Sequence, residues 1–131
     1  YKNFTIDSSI SYLESYSKAK LLVTDFSGTA YTFAFSTLNP IIFYSRNEEK
    51  FKKTKYSNLS YFKDRLQIGY ISRNVTHLTN LINKPNLINK KMRNKIFSLR
   101  KKRIKYLGKS LKKTHEEILN ILDKKNNFYK N

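Results

Sequence analysis

Residues 21–45 read LLVTDFSGTAYTFAFSTLNPIIFYS, and the fold turns on how they are read. Residues 21–24 and 41–44 are unbroken apolar runs of strand length, the pattern of strands buried on both faces of a parallel sheet. Between them, residues 28–38 place Ala30 and Ala34 one helical turn apart, which predicts a closely packed helix. Asn39-Pro40 closes it, because the residue before proline avoids helical backbone angles. Upstream, Asp7-Ser8-Ser9 offers a helix N-cap, and Ile10, Leu13 and Ala19 recur at near-helical spacing, predicting a helix over about 9–18. Helix, strand, helix, strand with short connections describes a parallel α/β sheet with right-handed crossovers.

Further along, residues 45–65 are polar, basic and aromatic without a clear period and read as a long loop. A third strand is expected over 67–72. Asn74 is expected to cap a short helix ending near Asn83, with Val75, Leu78, Leu81 and Ile82 turned inward. Pro85 then opens a long basic helix whose apolar stripe is Ile88, Met92, Ile96 and Leu99. Gly108 interrupts, a last helix over 110–123 carries Leu111, Ile118, Leu119 and Leu122, and the tail from Lys124 reads as frayed.

The 131 residues fit one domain, 1–131, with a modest core. With 39% hydrophobic and 15% aromatic residues the chain is too apolar to be disordered. The absence of cysteine excludes a disulfide scaffold and a thiolate zinc site. No apolar run approaches the roughly 20 residues of a membrane-spanning helix, and no signal peptide is visible. The sequence begins at Tyr1 rather than Met and reads as a piece of a longer protein.

The net charge of +18 is unevenly placed. Residues 1–44 are neutral, whereas in residues 45–131 24 basic side chains face 6 acidic ones. A neutral front suits chemistry and a basic back suits surface contact.

Parallel α/β sheets bind ligands beyond the carboxyl ends of their strands, which is where residues 25–29 fall. Unpaired N–H groups at the start of the following helix suit a phosphate, and Gly28 allows close approach. Ser27 and Thr29 can donate hydroxyl hydrogen bonds to it. Asp25 repels a phosphate oxygen and is better suited to ordering the turn or contacting an acceptor hydroxyl. A plain N-cap at Ser27 fits the local spacing equally well. The stretch is neither a Walker loop nor a GxGxxG fingerprint.

The run Thr24-Asp25-Phe26-Ser27-Gly28-Thr29-Ala30, with Phe33-Ala34-Phe35, Leu38 and Asn39-Pro40-Ile41-Ile42-Phe43-Tyr44, resembles a block of the CDP-glycerol glycerophosphotransferase family. That block, T-D-[YF]-S-S…F-D-F-A…[RK]-P-[IM]-I-F-Y, occurs in wall-teichoic-acid and capsule polymerases. The lead-in KAKLLVTD is also similar, as is Gly108-Lys109-Ser110 followed by 117–122. The likeness is close over 8–45 and weaker over 105–122.

It implies a Rossmann-like parallel sheet flanked by helices, the C-terminal half of a GT-B-type fold with C-terminal basic helices. It also implies a nucleotide-activated donor, CDP-glycerol or a nucleotide sugar, whose diphosphate Ser27, Gly28 and Thr29 hold, and a polysaccharide or lipid-linked acceptor. Catalytic histidines would lie upstream, in an N-terminal half of the same protein, and no cofactor or metal is implied. Gly28 stands where the family has a second serine and Thr32 where it has an aspartate, leaving CDP-glycerol and a sugar nucleotide both open as donor. The expected location is cytoplasmic, peripheral to the inner face of the membrane.

Glu48 and Glu49, just past the second strand, offer a ribose contact or are two solvated acids. His77 and His115 lack partners at metal-ligand spacing and read as surface or structural residues. Residues 84–113 carry thirteen Lys or Arg and no acid. They suit an anionic membrane surface, a solvated face or nucleic acid phosphates. Nucleic acid is the least favoured, since no recognised module is present and the aromatic residues lie apart from the basic ones. A basic nucleic-acid-binding α/β domain and a nucleotide-binding regulatory module remain as alternative functions.

Overall fold

A computed structural model describes residues 3–128, with side chains to residue 123. The elements are α1 (Leu13–Lys18), β1 (Leu22–Thr24), α2 (Thr29–Thr37), β2 (Ile41–Tyr44), α3 (Glu48–Lys52), a 3₁₀ turn (Lys55–Asn58), α4 (Ser60–Lys63), α5 (Arg65–Ile68), β3 (Gly69–Ser72), α6 (Val75–Ile82), α7 (Lys90–Arg103) and α8 (Ser110–Phe128). The chain divides into two compact units, Tyr1–Leu99 and Arg100–Asn131.

Unit one holds a three-stranded sheet in the order β1-β2-β3. Both pairings are parallel: Leu22, Val23 and Thr24 face Ile41, Ile42 and Phe43, and β2 in turn pairs Ile41 with Gly69 through Tyr44 with Ser72. This is the α/β, Rossmann-like arrangement that the alternation of helix and apolar run predicts. Ile41 and Phe43 enter a cluster with Ala30, Phe33 and Ala34 of α2, Ile68, and Met92, Ile96 and Leu99 of α7. Ile42, on the opposite face of the pleat, is also fully buried, so β2 is covered on both sides.

β1 departs from the expectation. It pairs on one side only, and Val23 is 41% exposed. An unbroken apolar run of three or four residues does not distinguish a central strand from an edge.

The ends of α2 follow local chemistry. Leu38 takes the left-handed C-cap conformation at φ 57°, its N–H reaching the Ala34 carbonyl. Asn39 then donates from Nδ2 to the Ala19 carbonyl at 3.1 Å and accepts from Arg93 at 2.8 Å, tying the approach to β1 to α7.

Other boundaries shift. Asp7 does not cap α1, which starts only at Leu13. Its carboxylate accepts from the Ser15 and Ser9 side chains and the Ser9 N–H, which lowers its pKa to about 2. Residues 45–65 are not a loop but a chain of short helical turns, and residues 67 and 68 end α5 rather than begin β3. Asn74 caps α6 as expected, accepting from the His77 N–H at 2.8 Å. Val75 and Ile82, however, remain 65% and 48% exposed.

Pro85 does not open α7. Asn89 does, accepting from the Met92 N–H at 2.9 Å, and Leu87 rather than Ile88 is buried. In unit two, Gly108 adopts φ +74°, a conformation natural to glycine. Backbone helix then continues past Lys124 to Phe128, and 129–131 of the expected frayed tail lie outside the described residues.

Gly69 is the glycine on which the sheet depends. A Cβ there would sit 2.0 Å from the Ile41 carbonyl oxygen, inside the backbone of the neighbouring strand. Gly69→Ala must push β2 and β3 apart. It should destabilise unit one by about 1–3 kcal/mol in urea denaturation, the range for overpacking.

Candidate functional site

The carboxyl ends of the strands carry two features. The first is the turn after β1. Asp25 Oδ1 accepts from the Ser27 N–H at 3.1 Å, closing an Asx turn. The Ser27 and Gly28 carbonyls accept from the Ala30 and Tyr31 N–H groups, both at 3.1 Å, and so start α2. Ser27 Oγ lies 3.4 Å from the Thr29 N–H, a long and weak contact.

Gly28 has ordinary helical angles, φ −60° and ψ −27°, and a Cβ there would meet no atom within 4 Å. The backbone therefore does not require glycine at this position; what glycine provides is open space above the helix start. Tyr16 donates to Thr29 Oγ1 at 3.1 Å, so the Thr29 hydroxyl is free to aim its own hydrogen elsewhere. Asp25 is exposed and orders the turn.

Phe26, within the turn, points the other way. Its ring packs 4.1 Å from Phe51 and 5.9 Å from Phe62 between centroids, and its carbonyl accepts from Tyr61 Oη at 2.8 Å. Burial raises the Tyr61 phenol above its ordinary pKa. Beside the turn, Phe26, Phe51, Tyr56, Leu59, Tyr61 and Phe62 wall an apolar hollow of about 250 Å³.

The second feature is a cleft of about 620 Å³ beyond β2 and β3, reaching from α3 to the start of α6. Arg65 and Glu48 form its base. Both are 1% exposed, and Arg65 Nη2 and Nη1 donate to Glu48 Oε1 and Oε2 at 2.8 and 3.2 Å. The guanidinium also lies 3.7 Å from the Phe62 ring centre, 4.9 Å from Phe26 and 5.5 Å from Phe43.

The ribose contact offered for Glu48 is therefore replaced by a structural role, since both carboxylate oxygens are engaged with Arg65. Nothing in the sequence links two residues seventeen positions apart on elements that read as loop. Glu49 stays exposed, and its Oε1 meets Lys52 Nζ at 3.1 Å and Arg73 Nη2 at 2.9 Å. Its carboxyl pKa is lowered, first by the Lys52 hydrogen bond, against the opposing effect of desolvation, with smaller lowering contributions from the charges of Lys52, Arg73 and Lys53. His77 lines the cleft, and the Arg65 guanidinium that Glu48 holds lies against Phe26 of the 25–29 turn.

A parallel α/β sheet with a hydroxyl-bearing turn past its first strand defines a Rossmann-like fragment. The profile of the CDP-glycerol:poly(glycerophosphate) glycerophosphotransferase family matches residues 2–120, and the chain belongs to that family. Comparison with curated proteins and with solved structures gives no match.

The buried pair can be tested without any ligand. Arg65→Met strands the Glu48 charge and should cost about 3–5 kcal/mol of stability. Joining it to Glu48→Leu should recover most of that loss in the same denaturation assay, because the double variant leaves no unpaired buried charge.

Proposed function

We propose that this chain forms the donor-binding surface of a transferase that moves glycerol phosphate, or a sugar, from a nucleotide-activated donor to a cell-surface polysaccharide. The observation that carries the reading is the turn at 25–29. It combines open space at Gly28, hydroxyls at Ser27 and Thr29, and the start of a nine-residue helix at the carboxyl end of a parallel strand. The neighbouring aromatic hollow supports it. At about 250 Å³ it is smaller than a typical whole-ligand site of about 300–1,000 Å³ and suits a single flat ring such as a nucleobase.

Ser27, Gly28 and Thr29 hold the diphosphate in this reading, and Asp25 sets the turn. The transfer step belongs to histidines of a preceding half of the same protein, the arrangement implied by the family resemblance. Calorimetric titration of CDP, UDP and cytidine into the protein tests the site. The diphosphates should bind more tightly than the nucleoside. Ser27→Ala should weaken CDP by about 1.5–3 kcal/mol, the range for a hydrogen bond to a charged group. Gly28→Val should abolish the preference for diphosphate while leaving circular dichroism unchanged. A Gly28→Val variant that binds CDP like the parent would leave only a helix start there.

The basic stretch 84–113 carries the contact with an anionic membrane at the cytoplasmic face. On α7, Lys90, Lys91, Arg93 and Lys95 are exposed, whereas Met92, Ile96 and Leu99 are spent on the core. No helix among the described residues is long and apolar enough to cross a membrane. Contact through α7 is then electrostatic, with each cation worth about 1 kcal/mol near an anionic leaflet. The protein should sediment with anionic but not neutral vesicles and be released by salt. Equal sedimentation with both vesicle types would rule out a charge-driven contact.

A further inference from the structure

The cleft beyond β2 and β3 is not used by the proposed donor site, and its chemistry differs from that of the turn. Lys52, Lys63 and Arg73 line it together with Ser57, Asn74 and His77, and Phe62, Leu66 and Ile71 supply apolar wall. Beneath them the Arg65–Glu48 pair is internally neutral, so the cations at the mouth set the sign of the field. The mouth is also where α6 begins. Its first intrahelical bond runs from the Leu78 N–H to the Asn74 carbonyl, and Asn74 Oδ1 caps the His77 N–H, so the helix start borders the cleft.

Glu49 shows what these cations take as a partner. Its carboxylate bridges Lys52 and Arg73 from an exposed position, with 63% of its side chain in solvent. A carboxylate this far in solvent is readily displaced. An anion offering more oxygens to the same two cations competes with it directly.

We propose that this cleft binds the phosphate group of a small phosphate ester, whose organic part lies against Phe62, Leu66 and Ile71, and that Glu49 is the internal carboxylate which the phosphate displaces. At about 620 Å³ the cleft is of the size that encloses a small organic ligand. The site does not include Ser27, Gly28 or Thr29 and does not depend on the donor reading, although Phe62 walls both this cleft and the aromatic hollow.

The test is titration of inorganic phosphate and phenyl phosphate into the full chain at low ionic strength, read by calorimetry and by amide shifts of residues 73–77. Phenyl phosphate should bind more tightly than phosphate. Arg73→Ala should weaken both by about tenfold or more, the loss of a charge-assisted hydrogen bond. Glu49→Gln should strengthen both severalfold, because the two cations then lack their internal partner. A merely structural Glu49 would not produce that gain. Lys52, Arg73 and Glu49 are all at least 47% exposed on their side chains, so these variants leave the core intact. Gly28→Val should leave phosphate binding at the cleft unchanged, which separates this site from the donor turn.

Absence of binding in both the parent and Glu49→Gln overturns the proposal, as does a Glu49→Gln variant no tighter than the parent. Undiminished binding in Arg73→Ala overturns it equally. Equal affinity for phosphate and phenyl phosphate overturns the ester assignment.

Discussion

The ion pair between Arg65 and Glu48 is the interaction on which the functional edge of the sheet depends. Burying two charges is costly, and the cost is met here by bidentate geometry and by aromatic rings around the guanidinium. Glu48 opens α3, Arg65 opens α5, Phe43 belongs to β2 and Phe26 to the turn after β1. One side chain thus joins four segments. The short helices between β2 and β3 run to only four or five residues each, too short to be stable alone. Their order comes from what Arg65 and the Phe26–Phe51–Phe62 cluster hold in place.

This explains what was legible in the sequence. Strand 41–44, a third strand near 67–72, the parallel order, the Asn74 cap and the α2 stop at Asn39-Pro40 are written in local patterns of apolar runs and capping residues, although the third strand begins only at Gly69. The region 45–65 is not, because its helices are stabilised by a pair seventeen residues apart rather than by periodicity. Glu48 accordingly looked like a surface acid. Asp7 looked like a cap because the Asp-Ser-Ser triplet has cap composition, yet its carboxylate is taken by Ser9 and Ser15.

The two glycines of unit one invert the expectation drawn from the sequence. Gly28 sits where a ligand is expected, and its backbone angles would suit any residue. Gly69 drew no notice as glycine, yet the neighbouring strand leaves it no room for a methyl group. Close approach of backbones is a property of the assembled sheet, invisible until the partner strand is known. Of the turn, the composition was readable. What its position in the sequence did not reveal was the anchoring of Phe26 and Thr29 by Tyr61 and Tyr16.

With Met92, Ile96 and Leu99 taken up by the core, α7 presents Lys90, Lys91, Arg93 and Lys95 to solvent, with Asn94, Phe97 and Ser98 exposed beside them. Lys91 and Lys95 stand four residues apart, and Lys90 and Arg93 three apart, spacings at which like charges on a helix repel. Two such surfaces cannot approach each other without crowding positive charge. The helix therefore acts as a colloidal spacer, keeping copies of the protein dispersed in dilute electrolyte. Added counter-ions would relax the repulsion within each helix and, by the same screening, weaken the barrier between molecules.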